Sequence, residues 1–175
     1  MRRYLKWLML PAILLILTMC KKDEWFTFTI TDSTTFDITP ITPIALPYEL
    51  PLPDITTNSE QEFKNNNTSV GLVKEIKLST LDLFIQNPAD KTFSFLKAIS
   101  IYIRTNDDDE ILLATKTDID SDAKMISLNT TEAILDKYVK ADSYKLRTEV
   151  TLRETLTQAV TIEAKMKYNV KADPL

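Results

Sequence analysis

The stretch that most constrains the fold is the C-terminal one, from Tyr144 onward. Tyr144, Leu146, Thr148, Val150 and Leu152 alternate with Lys145, Arg147, Glu149, Thr151 and Arg153. After a polar link, Val160, Ile162, Ala164, Met166, Tyr168 and Val170 alternate with Thr161, Glu163, Lys165, Lys167 and Lys171. Side chains of a strand point to opposite faces with a period of two, so each segment reads as a strand with one apolar and one solvated face. Two such strands in succession are expected to pair as an antiparallel hairpin.

The same period recurs upstream. Trp25, Thr27, Thr29 and Thr31 alternate with Phe26, Phe28 and Ile30, and Phe36 and Ile38 extend the pattern beyond an expected break at Asp32 and Ser33. From Leu72 the apolar residues hold one parity to Leu78, then switch so that Leu81, Leu83 and Ile85 take the other. A β-bulge or a bend between Ser79 and Leu81 would explain the switch, since one extra residue restores the facing. Phe93, Phe95, Ile99, Ile101 and Ile103 form a further face with Lys97 as the exception, and Ile111, Leu113 and Thr115 follow across an acidic turn, which reads as a hairpin. Leu112 and Ala114 lie behind them, and two adjacent apolar residues, Leu112 and Leu113, imply burial on both faces or one face lent to a neighbour. Met125 to Leu128 adds a short strand.

Helical signals are few. Ile134, Leu135, Tyr138 and Val139 recur at helical spacing behind candidate caps Asn129, Thr130 and Thr131. Asn58 to Lys64 predicts a single turn, with Ser59 and Glu62 at capping-box spacing and Asn65, Asn66 and Asn67 ending it. Between residues 40 and 53 lie Pro40, Pro43, Pro47, Pro51 and Pro53, which withhold ladder donors and predict an extended segment packed along the domain, or a short edge strand paired on one side only. The pattern predicts an all-β, immunoglobulin-like antiparallel β-sandwich of about seven strands and one short helix.

Composition removes whole classes of chemistry. Histidine is absent, Gly71 is the single glycine and Cys20 the single cysteine. Glycine-rich phosphate loops are therefore excluded, as are disulfides within the chain, and turns must use Asn or Asp. Acidic residues outnumber basic ones, 25 to 21, and Arg2, Arg3 and Lys6 lie in the first six residues. An acidic body argues against nucleic acid as a partner.

Arg2, Arg3 and Lys6 precede an apolar run from Trp7 to Met19, and charge resumes at Lys21. The run is shorter than the roughly 20 residues of a membrane span and has the layout of a secretory signal. Its end, Leu17-Thr18-Met19-Cys20, resembles the box of a bacterial lipoprotein signal peptide, with Met19 where small residues are usual outside the Bacteroidetes. The resemblance implies cleavage before Cys20 and its lipidation; Lys22, Asp23 and Glu24 resemble the signal for export to the outer face of the outer membrane. The implied layout is a lipoprotein signal peptide over 1–19, a lipidated anchor and tether over 20–24, an aromatic strand with a Pro-rich extended segment and loop over 25–69, and the sandwich body over 70–175. The expected place is the outer membrane, on its periplasmic or external side.

The run from Leu81 to Pro88, Leu-Asp-Leu-Phe-Ile-Gln-Asn-Pro, resembles the strand and Asn-Pro turn of the late-embryogenesis-abundant type 2 (water-stress) family and of uncharacterised Bacteroidetes lipoproteins. That resemblance implies a small β-sandwich and offers no catalytic residue.

Three candidate sites follow from residue types. Trp25, Phe26, Phe28, Phe36 and Tyr48 form a candidate binding surface, against which stands simple closure of the sandwich by an added strand. Asp118, Asp120 and Asp122 alternate like the front of a calcium loop, but Ala123 and Asn129 stand where its Gly and Glu belong, leaving only a looser calcium site with Asp107, Asp108 and Asp109 nearby. Glu149, Glu154 and Glu163 are expected to pair with Arg147, Arg153 and Lys165 across strands, and serine lacks a histidine partner. No catalytic residue and no cofactor is implied. The expected function is a non-enzymatic, lipid-anchored envelope protein that binds a protein partner or serves as a structural accessory. A carrier of a small apolar or lipidic ligand would need a cavity lined by Phe93, Phe95, Ile99, Leu146, Val150 and Ile162. An enzyme using calcium or paired acids would need a cleft joining Asp118, Asp120 or Asp122 to another acid.

Overall fold

A computed structural model of the chain describes residues 25–43 and 47–175; the signal segment, Cys20 and the tether lie outside them. Among the described residues the elements run β1 (Phe26–Ile38), β2 (Tyr48–Pro51), β3 (Ile55–Thr56), α1 (Ser59–Asn65), β4 (Val73–Asn87), β5 (Leu96–Arg104), β6 (Ile111–Lys116), β7 (Met125–Ser127), β8 (Asn129–Thr130), α2 (Asp136–Val139), β9 (Ser143–Leu152) and β10 (Val160–Ala172). They form an all-β antiparallel sandwich of two sheets, one in the order β1-β10-β4-β7, the other β2-β9-β5-β6-β8 with β3 also on β9. The ten strands exceed the expected seven because β2, β3 and β8 are short pairings without an alternation of their own.

The expected hairpin of the last two strands does not form. β9 pairs with β2 and β5, β10 with β1 and β4, so the two lie in opposite sheets. The physical reason is that both bury their even-numbered faces, and facing each other across the core satisfies both at once. Tyr144 and Tyr168 meet there, hydroxyl to hydroxyl at 3.1 Å.

Each break in the alternation is a bulge. On β4, Leu78 pairs with Tyr168 and Thr80 with Lys167, leaving Ser79 as the extra residue. On β5, Leu96 and Ala98 pair with Leu152 and Thr151, so the exposed Lys97 is skipped. On β6, Leu112 and Ala114 pair with consecutive residues of β5, leaving Leu113 extra and buried beside Ala114. β1, by contrast, shows no break at Asp32: it pairs with β10 without a register shift along all thirteen residues. The Asp32 carboxylate, on the inward parity, accepts a hydrogen bond from Tyr144 Oη at 3.0 Å, which lets the strand continue.

The helices are short. α1 begins at Ser59 as expected, but no capping box forms; the Ser59 hydroxyl turns to Thr57 instead. Asn67, with φ of 54°, takes the left-handed conformation that ends the turn, the role glycine usually fills. The second helix covers only Asp136 to Val139, and Asn129 and Thr130 do not cap it; they pair with Thr115 and Ala114 of β6. Asp136 Oδ1 accepts the Ile76 amide at 2.8 Å and Ile76 carbonyl oxygen accepts the Leu135 amide, so this segment is hooked onto β4 before it can wind further upstream.

The core is one cluster from both sheets, with Ile38, Phe63, Phe93, Phe95, Leu96, Ile103 and Ile162 wholly buried. β1, β2, β3 and α1 all join it or the sheets around it, and Ile41 bridges to Leu156.

Candidate binding surface

The rings of the N-terminal segment divide between interior and exterior. Phe36 is 5 % exposed and sits in the core. Phe26 and Phe28 are half-buried, stack on each other at 5.6 Å, and Phe28 meets the buried Phe63 edge-on at 6.4 Å. Tyr48 is exposed, but on β2 of the other sheet. The candidate surface of Trp25, Phe26, Phe28, Phe36 and Tyr48 is thus not assembled as one patch: burial takes three of its rings. Trp25 alone stays outside at the start of β1, 50 % exposed, with Lys171 Nζ 4.0 Å from its ring centroid.

What β1 does present is hydroxyl. Thr27, Thr29, Thr31, Ser33 and Thr35 are exposed in a row, flanked by Lys165, Lys167 and Lys171 of β10. The bulge at Ser79 bends β4 beside them, and an open groove of about 620 Å³ is lined by Thr31, Ser33, Thr80, Asp82, Lys165 and Lys167. Asp32 and Met166 complete its lining, so Met166 is the one apolar residue among hydroxyl, carboxylate and ammonium side chains.

The other sheet carries an ion network around Arg147 of β9. Its guanidinium lies 4.1 Å from the Tyr102 ring centroid and reaches Glu110 through Nε and Nη2, Glu49 at 3.0 Å, and Glu149. The Glu110 bonds hold Arg147 well above its usual pKa, and the same bonds hold Glu110 below the usual carboxylate value. Burial, with Glu149 beside it, pushes Tyr102 up. The carboxylates of Glu49, Glu110 and Glu149 all reach this one cation, Glu49 from the neighbouring strand β2 and Glu149 from β9 itself. Glu163 meets Lys165 at 3.5 Å, but along one strand, β10, and not across two; Glu154 accepts from Ser94, and Arg153 turns to the Ser94 and Ile119 carbonyls.

The acidic turns are used for turning. Asp109 accepts the amides of Thr105 and Asn106 at 2.8 and 3.0 Å and pairs with Lys137 at 2.8 Å. Burial opposes its ionisation, but these donors outweigh burial and hold its carboxyl well below the usual range. Asp118 takes a left-handed φ of 51°, Asp120 Oδ1 accepts the Asp122 amide at 2.9 Å, and Ile119 between them is buried. Asp118, Asp120 and Asp122 do not converge, and among the described residues no group of three or more acids is placed to hold a metal ion.

Two exposed apolar residues at the end of the sandwich where β1 starts carry no signal in the alternation. Val70 stands in the single turn before β4 and Leu175 follows β10. Both lie outside strands, where periodicity is silent, and only the fold brings them to the end where β1 starts.

Fold and surface together define a two-sheet antiparallel β-sandwich without an evident catalytic centre among its described residues. No protein-family model and no curated protein sequence matches the chain. Solved structures similar to it include two crystal structures of BFDV capsid protein. The decameric form is 9 % identical, with 85 % of this chain and 99 % of that chain covered and a TM-score of 0.44. The 60-mer is 9 % identical, with 87 % and 95 % covered and a TM-score of 0.47. Neither likeness bears on what the chain does.

Proposed function

We propose that the protein is a non-enzymatic lipoprotein of the bacterial outer membrane, in which Cys20 carries the lipid and the sandwich serves as a binding or structural accessory of the envelope. The observation that carries this reading is the place of Cys20: the single cysteine closes the apolar N-terminal run and stands five residues before Trp25, where the fold begins. Several acyl chains on one residue give a firm hold where a single chain gives a marginal one. The finer fold reading, an immunoglobulin-like sandwich related to the late-embryogenesis-abundant type 2 family, belongs to this proposal and rests on the run Leu81 to Pro88, of which β4 carries the part up to Asn87.

An accessory role is favoured over a carrier by the packing between the sheets. Phe93, Phe95, Ile99, Leu146, Val150 and Ile162 are each at most 4 % exposed and belong to the same cluster. It is favoured over an enzyme by the absence of histidine and by the engagement of the Arg147-centred carboxylates. Native mass spectrometry of the protein extracted from its own membrane tests the choice. The expected mass is that of the chain plus covalent lipid; a further apolar molecule shed on activation would overturn the accessory reading in favour of the carrier.

A further inference from the structure

We infer that the end of the sandwich bearing Trp25, Val70 and Gly71 is a membrane-contact surface that lies against the headgroup layer of the bilayer holding the anchor. The inference rests on the lipidation of Cys20 proposed above and adds the orientation of the domain to it.

The structure brings these residues to one end. Phe26 and Val73 both pair with Ala172, at the last step of β10. Beyond it, the Asp173 amide donates to the Leu72 carbonyl and the Leu175 amide to the Asn67 carbonyl, both at 3.0 Å, which binds the C-terminal residues to the turn that holds Val70 and Gly71. Trp25 is 50 % exposed and Val70 37 %. A Cβ placed on Gly71 would meet nothing within 4 Å, so the surface there is open.

The tether says what covers it. Four residues lie between Cys20 and Trp25, and the five steps reach at most about 18 Å when fully extended. This end of the domain is therefore held at the membrane, whichever way the rest leans. Its residues suit a headgroup layer: indole is enriched at membrane interfaces, and a lysine can lay its stem on apolar surface while its ammonium stays in water. Lys171 already takes that posture over the Trp25 ring, and Lys74 pairs with Asp173 at 2.7 Å. The chain is acidic, so attraction to anionic lipid is not the driving term, and zwitterionic lipid is the committed partner.

Cleavage before Cys20 removes Trp7 and leaves Trp25 as the only tryptophan, which makes its fluorescence a direct reporter. The acylated protein, purified from membranes and its lipid verified by intact mass, is reconstituted in vesicles of phosphatidylcholine and phosphatidylethanolamine with brominated acyl chains. Trp25 emission is expected to shift to the blue and to fall at least about twofold relative to unbrominated vesicles, as for an indole at the interface. Gly71→Glu and Val70→Glu, at open sites that leave the core untouched, are expected to restore much of the emission while the protein still floats with the vesicles. A protein that floats but whose Trp25 stays open to acrylamide and indifferent to bromine would overturn the contact and leave the anchor standing. Protection from acrylamide without bromine quenching, rising with protein density, would put a second copy on this surface and equally overturn it. An unacylated protein that fails to float would remove both the anchor and the contact.

Discussion

The two ends of the sandwich are built differently. At the end where β1 starts, loops are tied to strands by specific hooks. Phe63 plugs the interior beneath Phe28, Thr68 Oγ1 donates to the Asp173 carbonyl at 2.6 Å, Asp136 holds the Ile76 amide, and Asp109 holds its own turn and Lys137. Trp25 and Val70 remain exposed among these hooks. At the opposite end, the links from Asn87 to Phe93, from Lys116 to Met125 and from Leu152 to Val160 turn mostly polar residues outward, among them Asp90, Asp118, Asp120 and Asp122. Loops are fastened at this end too: Arg153 donates to the Ser94 and Ile119 carbonyls, the Phe93 amide to the Ala123 carbonyl at 2.8 Å, and Ile41 bridges to Leu156. The difference lies in what each end leaves outside, Trp25 and Val70 at one and mainly carboxylates at the other, and not in which loops are tied down.

The largest test of that contrast is Phe63→Ala. It deletes a wholly buried ring that supports the first strand, and it is expected to cost about 3–5 kcal/mol in urea unfolding. A cost near zero would mean that α1 is not part of the packing at the end where β1 starts. Next comes Asp136→Ala, which leaves the Ile76 amide and Lys140 without their shared carboxylate; a loss of about 1–3 kcal/mol is expected.

Asp109 supplies a pH-dependent version of the same test. Its carboxyl is held below the ordinary value, so its contribution is fully present above about pH 4 and is lost as pH falls through the lower, folded value. Asp109→Asn is therefore expected to lower stability at neutral pH and to flatten the fall in melting temperature on acidification. An unchanged acid limb would show that the turn does not depend on the charge. The smallest effect is expected at the polar end: Asp118→Asn, Asp120→Asn and Asp122→Asn, which keep the left-handed turn and the side-chain acceptor, are together expected to change stability by less than about 1 kcal/mol. Millimolar calcium is expected to leave the melting temperature where it is. A calcium-dependent rise abolished by these substitutions would place a ligand site at this end and reverse the contrast.

Much of this architecture was legible because alternation reports which side of a strand is buried. The parity switch near Ser79 and the exception at Lys97 both marked real bulges, since an extra residue is the cheapest way to keep a face inward. Alternation does not report which strand is the neighbour. β9 and β10 have the pattern of a hairpin and instead face each other across the core, a choice that depends on what else must be covered. Short partners such as β3 and β8 were illegible because two residues contain no period. Asp32 looked like a break because a carboxylate on an inward face ordinarily is one; its partner Tyr144 lies 112 residues away, beyond any local pattern. The aromatic segment suits both a surface and a closing strand because its pattern is the same for either: Phe36 is buried in the core, while Phe26 and Phe28 are half-buried on the same strand. Val70, the residue that gives the β1 end its apolar character with Trp25, carried no local signal.

The most direct test of the whole account is the intact mass of the mature protein taken from the membrane of the cell that makes it, beside that of Cys20→Ser. The account predicts a chain that begins at Cys20 and carries covalent acyl groups, and a Cys20→Ser protein that keeps its fold but loses both the acyl mass and the membrane. A chain that keeps Met1 to Met19, or that begins at Cys20 without lipid and stays soluble, would contradict it.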